Sequence, residues 1–192
     1  MTSIIQLENI SFSYPGSTTK VLNTLDLSIR TGDRIGLMAP NGSGKTTLLH
    51  TIMGLCRPES GKIKIFGKPM ETESDFSSIR TRVGLLFQDS DDQLFCPTVM
   101  EDVAFGPLNM GLTRKDAKQK SVQVLESLGI KELKDRVTHR LSGGQKRLVA
   151  LAAVLAMSPE ILLLDEPTSG LDTAVKEKLT HILNGLDISY LI

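Results

Sequence analysis

An α/β fold around a mainly parallel sheet is what this sequence predicts, and three features predict it. The stretch Ala39-Pro40-Asn41-Gly42-Ser43-Gly44-Lys45-Thr46-Thr47 is a small-residue loop between an apolar run at 34–38 and a helix-like run at 47–53. Strand, loop, then helix is the setting in which such a loop cradles phosphate. Two more apolar runs, 83–87 and 161–164, are bounded by turn signals, as buried parallel strands are. Residues 62–67 instead alternate polar and apolar side chains, which adds a half-exposed antiparallel portion.

Length and composition narrow the class. The 192 residues suit one compact domain, and the 40% hydrophobic and 23% charged content is that of an ordinary globular protein. Lys+Arg and Asp+Glu balance at 22 each, so the chain lacks the basic excess that nucleic-acid binding needs. Cys56 and Cys96 form no CxxC pair and are expected as small buried side chains in a reducing compartment. The N-terminus lacks the basic-then-apolar pattern of a signal peptide, and no apolar run is long enough to span a bilayer. The expectation is a cytosolic protein able to dock on a membrane partner.

Residues 4–14 read as a strand followed by a Pro15-Gly16-Ser17 turn. Tyr14, just ahead of that turn, is either a ring for stacking on a nucleotide base or a strand-end packing residue. Residues 21–30 read as a second strand, closed by Thr31-Gly32-Asp33. In the phosphate loop, successive N–H groups form an anion nest, and the helix behind it points its positive end at the same spot. Lys45 then reaches the terminal phosphates and the Thr46 hydroxyl holds Mg2+. Ala39 stands where the pattern has its first glycine, which requires an ordinary negative φ there. Residues 71–78 read as a loop or a short helix. Gln88 follows the 83–87 strand at the end where α/β proteins bind ligands; it ligates Mg2+, orients a water, or is a solvated loop glutamine. Residues 98–110 suggest a short helix with a break at Gly106-Pro107. Residues 113–116 resemble a capping box, opening an amphipathic helix through Ala117, Ser121, Val124, Leu125 and Leu128 that ends at Gly129.

Leu141-Ser142-Gly143-Gly144-Gln145 places small residues at a second helix start, before a face of Leu148, Leu151, Ala152 and Leu155. This turn binds a second anion, closes with the phosphate loop on one nucleotide across a dimer, or caps its helix without a ligand. The 161–164 run ends in Asp165 and Glu166. Asp165 suits the acid that holds Mg2+, and Glu166 suits a base that polarises a water for attack on a γ-phosphate. Residues 173–186 form an amphipathic helix through Val175, Leu179, Ile182 and Leu186, and 187–192 start a further strand, expected as an exposed sheet edge.

Together these motifs resemble the nucleotide-binding domain of ABC ATPases over nearly the whole chain. Tyr14 matches the adenine-stacking aromatic, Ala39 to Thr46 Walker A, and Gln88 the Q-loop. Residues 141–145 match the LSGGQ signature, Asp165 and Glu166 match Walker B with its catalytic glutamate, and Ser169 to Asp172 match the D-loop. The segment 87–107, with Asp91-Asp92-Gln93-Leu94-Phe95 inside it, is similar to the energy-coupling-factor and cobalt/nickel importer ATPases. The resemblance implies an ATPase that powers a membrane importer for transition-metal ions or vitamins from the cytoplasmic face of the membrane. It implies a second ABC ATPase subunit, homo- or heteromeric, packed head to tail, and an integral membrane coupling protein; no nucleic acid is involved. ATP would lie between residues 39–47 with Tyr14 of one subunit and Ser142, Gly143, Gly144 and Gln145 of the other, with Asp172 reporting across the interface. Lys45, Gln88 and Glu166 form the implied catalytic set, and Thr46, Gln88 and Asp165 the implied Mg2+ set.

As a fold, the resemblance implies a phosphate-loop NTPase domain over 1–192. Its core lies at 1–88 and 142–192 with the antiparallel β portion, and a helical subdomain at 89–141 carries the membrane-partner contact. The family places a switch histidine beyond the strand that begins at Asp187, so the chain is read as C-terminally truncated before it; His50, His139 and His181 are not assigned that role. Two alternatives follow: a nucleotide-binding but hydrolysis-deficient protein, or a soluble ABC ATPase outside transport. Against the latter stand the absence of a long coiled coil between the loop and the signature, the absence of a tandem domain, and zero net charge.

Overall fold

The computed structural model describes residues 3–192. The chain runs β1 (Ser3–Phe12), β2 (Leu22–Arg30), β3 (Arg34–Ile35), α1 (Lys45–Ile52), β4 (Ser60–Ile65), β5 (Lys68–Pro69), α2 (Glu73–Ile79) and β6 (Val83–Leu86). It continues through α3 (Val99–Asn109), α4 (Arg114–Ser127), α5 (Gly143–Leu155), β7 (Ile161–Leu164), α6 (Thr173–Gly185) and β8 (Ser189–Leu191). Two sheets result. One is antiparallel in the order β2-β1-β4-β5, and the other is parallel in the order β3-β8-β7-β6. This is the α/β architecture that the sequence predicts.

The strand runs explain the layering. Every residue of β6 and β7 is buried, which is why both read as unbroken apolar stretches: helices cover both faces of a parallel sheet. α1, with Leu48, Leu49 and Ile52 buried, packs in one core with Ile5, Ile10, Ile63 and Ile65 of the antiparallel sheet and with Ile161 and Leu163 of β7. Side chains on the other face of β7, Leu162 and Leu164, pack with Leu148 and Leu151 of α5 and Leu179 of α6. Each fully buried Leu or Ile stabilises the fold by roughly 1.5–3 kcal/mol. Helix starts follow side-chain caps: Thr72, Thr98 and Ser142 each form reciprocal capping boxes with Asp75, Glu101 and Gln145.

Four expectations are corrected. α3 runs through Pro107 instead of breaking there. Pro107 lies near the C-terminal end, so its missing N–H removes one late bond, and Gly106 before it has no Cβ to clash with the ring. Met157 fills the space beside Gly106, where a Cβ would come within 2.7 Å of Met157 Cγ. Second, β8 is no edge: it lies between β3 and β7, with Tyr190 opposite both Arg34 and Leu162. α6 carries the chain across so that the fully buried Leu191 enters the middle of the sheet. Third, the apolar run at 34–38 supplies only two strand residues; Leu37 N–H still donates to Ile192 O at 2.6 Å, but Met38 is 99% exposed. Fourth, Cys56 and Cys96 are half-buried, not core residues.

A buried carboxylate organises the segment after β6. Asp102 Oδ1 accepts the N–H groups of Phe95 and Cys96 at 3.0 and 2.9 Å, and Oδ2 accepts the Thr138 hydroxyl at 3.0 Å. Three donors compensate a charge that would be costly in isolation. Beside it, burial pushes the Cys96 thiol up to about 11, helped by the Asp102 charge and by hydrogen bonding to Asp102.

Two outcomes are expected. A Cβ on Gly84 would meet Val154 Cγ1 of α5 at 2.4 Å and Leu162 Cδ2 at 2.9 Å. Gly84→Ala is therefore expected to destabilise the chain by about 1–3 kcal/mol, read as a lower urea midpoint. The raised Cys96 pKa favours the neutral thiol in the folded state. Its stabilising contribution is full below the ordinary thiol value of 9.0 and is lost as pH rises from there toward about 11. Urea midpoints measured across that window should fall more steeply for the parent chain than for Cys96→Ser.

Candidate functional site

The parallel sheet delivers the predicted residues to one end. β6 and β7 pair from Val83↔Ile161 to Leu86↔Leu164, and Asp165 N–H extends the ladder to Leu86 O at 3.0 Å. Gln88 and Glu166 emerge side by side beyond that pairing, with Gln88 Nε2 3.3 Å from Glu166 Oε2. The phosphate loop closes from the other side: Lys45 Nζ lies 3.6 Å from Glu166 Oε1 and donates to the carbonyls of Ala39 and Pro40 at 2.9 and 3.1 Å. Lys45, Gln88 and Glu166 thus form one connected polar cluster.

The loop's conformation explains its residues. Gly42 and Gly44 adopt φ of 79° and 95°, and a Cβ on Gly44 would come within 2.8 Å of Val21 Cγ1. Ala39 lies outside the left-handed region, which meets the condition that the sequence set for it. Glu166 does not: its φ of 42° is one that side chains other than glycine's rarely adopt, a strain that packing of the β7 end sustains.

Of the clefts that border the cluster, two include Gln88. One, of about 360 Å3, is lined by Tyr14, Gly44, Lys45, Thr47, Gln88 and Glu166, among others. The second, of about 520 Å3, brings together Thr46, His50, Gln88, Asp89 and Asp165. Asp165 is 3% exposed and Thr46 is half-buried. One buried carboxylate, one hydroxyl and one amide make an oxygen donor set of the kind that holds Mg2+ when substrate phosphates complete it. Tyr14 packs as a strand-end residue and still presents surface to the first cleft. Its ring packs edge-on against Phe12 and its hydroxyl sits 2.8 Å from Thr47 Oγ1, yet it is 46% exposed to the cleft. His50 packs its ring against Phe87, while His139 and His181 are exposed.

The second set of predicted residues lies apart. Ser142, Gly143, Gly144, Gln145 and Asp172 line neither cleft. Ser142 and Gln145 satisfy each other at the start of α5, with Gln145 N–H to Ser142 Oγ at 3.3 Å and Ser142 N–H to Gln145 Oε1 at 3.0 Å. Asp172 caps α6 through Val175 N–H at 3.0 Å, and Val175 packs so close to Gly144 that a Cβ there would meet Val175 Cγ2 at 2.8 Å. Ser142 and Asp172 are both exposed.

Sequence reasoning passed over Arg147. It is 4% exposed and donates through Nη1 to Phe87 O at 2.5 Å and through Nη2 to Gln88 O. Burial draws its pKa down, while Asp89 and Asp165 hold it up. The available signal was a cation on the same helix face as Leu151 and Val154, where charge has no place without partners. Gln93 was missed too: its amide accepts from Phe87 N–H and donates to Leu85 O, both at 3.2 Å.

Comparison with known proteins adds an independent line. The sequence model of the family described as ABC transporter matches residues 22–169. A putative ABC transporter ATP-binding protein of Nitratidesulfovibrio vulgaris is 51% identical over 189 residues, covering 98% of this chain and 69% of the relative. The cobalt import ATP-binding protein CbiO of Rhodobacter capsulatus is 48% identical over 187 residues, covering 97% and 66%. Among solved structures, CbiO1 of Clostridium perfringens, described as part of the ABC transporter complex cbiONQ, has TM-score 0.87 and 36% identity, covering 100% of this chain and 78% of that one. The cassette MJ0796, solved as a dimer in a post-hydrolysis state with ADP and Pi, has TM-score 0.88 and 25% identity, covering 98% and 87%.

Proposed function

The chain belongs to the ABC transporter family as an ATP-binding ATPase subunit, and on that premise we propose that it drives a membrane importer of transition-metal ions of the cobalt or nickel type. The observation that supports the catalytic part is the convergence of Lys45, Gln88 and Glu166 at one strand end beside Thr46 and Asp165. For the solute, support comes from the cobalt import relative, and from the similarity of residues 87–107 to that group. Vitamins are the second reading, because that segment is equally similar to energy-coupling-factor ATPases.

The chemistry assigned to each group follows from its position. The loop N–H groups and Lys45 bind the β- and γ-phosphates, for which Lys45 exchanges its contacts with Ala39 O, Pro40 O and Glu166. Thr46, Asp165 and Gln88 would hold Mg2+, which when bound neutralises charge on the phosphate oxygens. Released from Lys45, Glu166 accepts the proton of the attacking water, and the Gln88 amide orients that water. Tyr14 stacks on the base. Ser142, Gly143, Gly144, Gln145 and Asp172 lie away from this site, so they are assigned to the nucleotide of a second subunit packed head to tail.

The helical portion at 89–141 is assigned the contact with an integral membrane coupling protein. An apolar groove of about 290 Å3 lies where that portion meets the core, lined by Phe95 and Phe105 from the one and Leu55, Phe87 and Met157 from the other, among others. Phe95 and Phe105 pack edge to face at 4.8 Å yet remain 66% and 43% exposed. Among the described residues no helix is long and apolar enough to cross a membrane; a peripheral place on the cytoplasmic face is assigned from the proposed contact with the coupling protein.

Phosphate release from Mg·ATP tests the catalytic assignment. Lys45→Ala and Glu166→Gln are each expected to lower turnover by about a hundredfold or more, Glu166→Gln with ATP binding retained. Full turnover in Glu166→Gln would remove Glu166 as the base. Phe95→Asp is expected to leave phosphate release by the isolated chain intact and to abolish co-purification with a co-expressed membrane coupling protein. Retained co-purification would place the docking surface elsewhere.

A further inference from the structure

Arg147 is a buried cation to which the proposed reaction assigns no task, and its surroundings give it one. It sits two residues beyond Gln145, in the first turns of α5, and both its terminal nitrogens are spent on adjacent carbonyls, those of Phe87 and Gln88. Its Nε has no partner. A guanidinium is costly to desolvate, and an apolar side chain of similar volume commonly stabilises such a position as well or better. What an apolar residue lacks is a planar fork that fixes two neighbouring carbonyls in one geometry. The preceding residue adds a second tie from α5 to this segment, with Lys146 Nζ 2.5 Å from Asp91 Oδ1. Gln93 holds the preceding peptide, accepting from Phe87 N–H at 3.2 Å. The backbone at 87–88 is therefore pinned, and the side chain it carries ends 3.3 Å from Glu166 Oε2.

Resting on the hydrolytic reading above, we propose that Arg147 is a positioning residue: through the Phe87 and Gln88 carbonyls it fixes where the Gln88 amide meets Glu166, and it ties that position to the Ser142–Gln145 turn of the same helix. Ser142 and Arg147 lie within about one and a half turns of one rigid helix. Any displacement of that turn, as on engaging a nucleotide across a dimer, carries the fork and hence Gln88 with it. Without the fork the amide is free to wander on the scale of an ångström, enough to cost about ten- to a hundredfold in rate.

The test is a double-mutant cycle on the full chain. Arg147→Met should lower kcat about ten- to a hundredfold with KM for ATP changed less than about twofold. In a Gln88→Ala background the same substitution should cost nothing further. Wild-type kcat in a folded Arg147→Met chain, or an equal loss in both backgrounds, would overturn the proposal. Amide hydrogen exchange supplies a readout independent of turnover: in Arg147→Lys, which keeps the charge and loses the fork, residues 88–91 should exchange faster while α5 stays protected. Unchanged exchange at 88–91 in that variant overturns the tether. Absence of turnover in the parent chain strikes the hydrolytic reading instead and leaves exchange to decide the tether. If Arg147→Met does not fold, Arg147→Lys carries the cycle.

Discussion

The parallel pairing of β6 with β7 is the constraint on which the rest depends. Gln88 leaves one strand and Asp165 and Glu166 leave the other, so their meeting is set by the register that puts Leu86 opposite Leu164. A strand advances about 3.3 Å per residue, the same length as the whole Gln88–Glu166 contact. A slip of one residue would separate the pair outright. Complete burial of all eight paired residues, against α5 and α6 on one face and α1 with the antiparallel sheet on the other, holds that register.

On this frame the site is internally satisfied. Lys45 is shared among two loop carbonyls and Glu166, and Glu166 is shared between Lys45 and Gln88. Phosphate therefore competes with contacts that the chain already makes, and Coulomb attraction between an ammonium and several phosphate oxygens exceeds that to one carboxylate. In the proposed reaction that exchange leaves Glu166 without its cation, in a left-handed backbone position beside Gln88. Strain and a carboxylate released from its cation at one residue accord with the base role proposed for Glu166.

Much of this was legible in the sequence because local patterns carried it. Unbroken apolar runs marked β6 and β7, the glycine-rich loop marked the cradle, and Thr113 before Asp116 marked the start of α4. What escaped was set by partners distant in sequence. β8 joins β3 and β7 across the sheet, and nothing in residues 187–192 announces which neighbours it takes. Pro107 reads as a breaker until Gly106 and Met157 are seen around it. Arg147 shares a helix face with Leu151 and Val154, but its partners, the carbonyls at 87–88, lie about sixty residues earlier.

The distance between the two sets of predicted residues is itself informative about assembly. Within one chain the Ser142 turn lines neither cleft around Lys45, and it faces solvent with its own cap made. A helix start with small residues and exposed N–H groups attracts an anion from outside the molecule. The nucleotide of a second copy supplies such an anion, so the proposed dimer gives the turn a ligand without altering the monomer's fold. The apolar groove of Phe87 and Phe95 adjoins Gln88 through the backbone that Arg147 grips. The helix that the Ser142 turn opens, the Gln88 amide and the apolar groove thus connect through the backbone at 87–88. A movement imposed at any one of them must either be passed to the other two or break the contacts of a buried guanidinium.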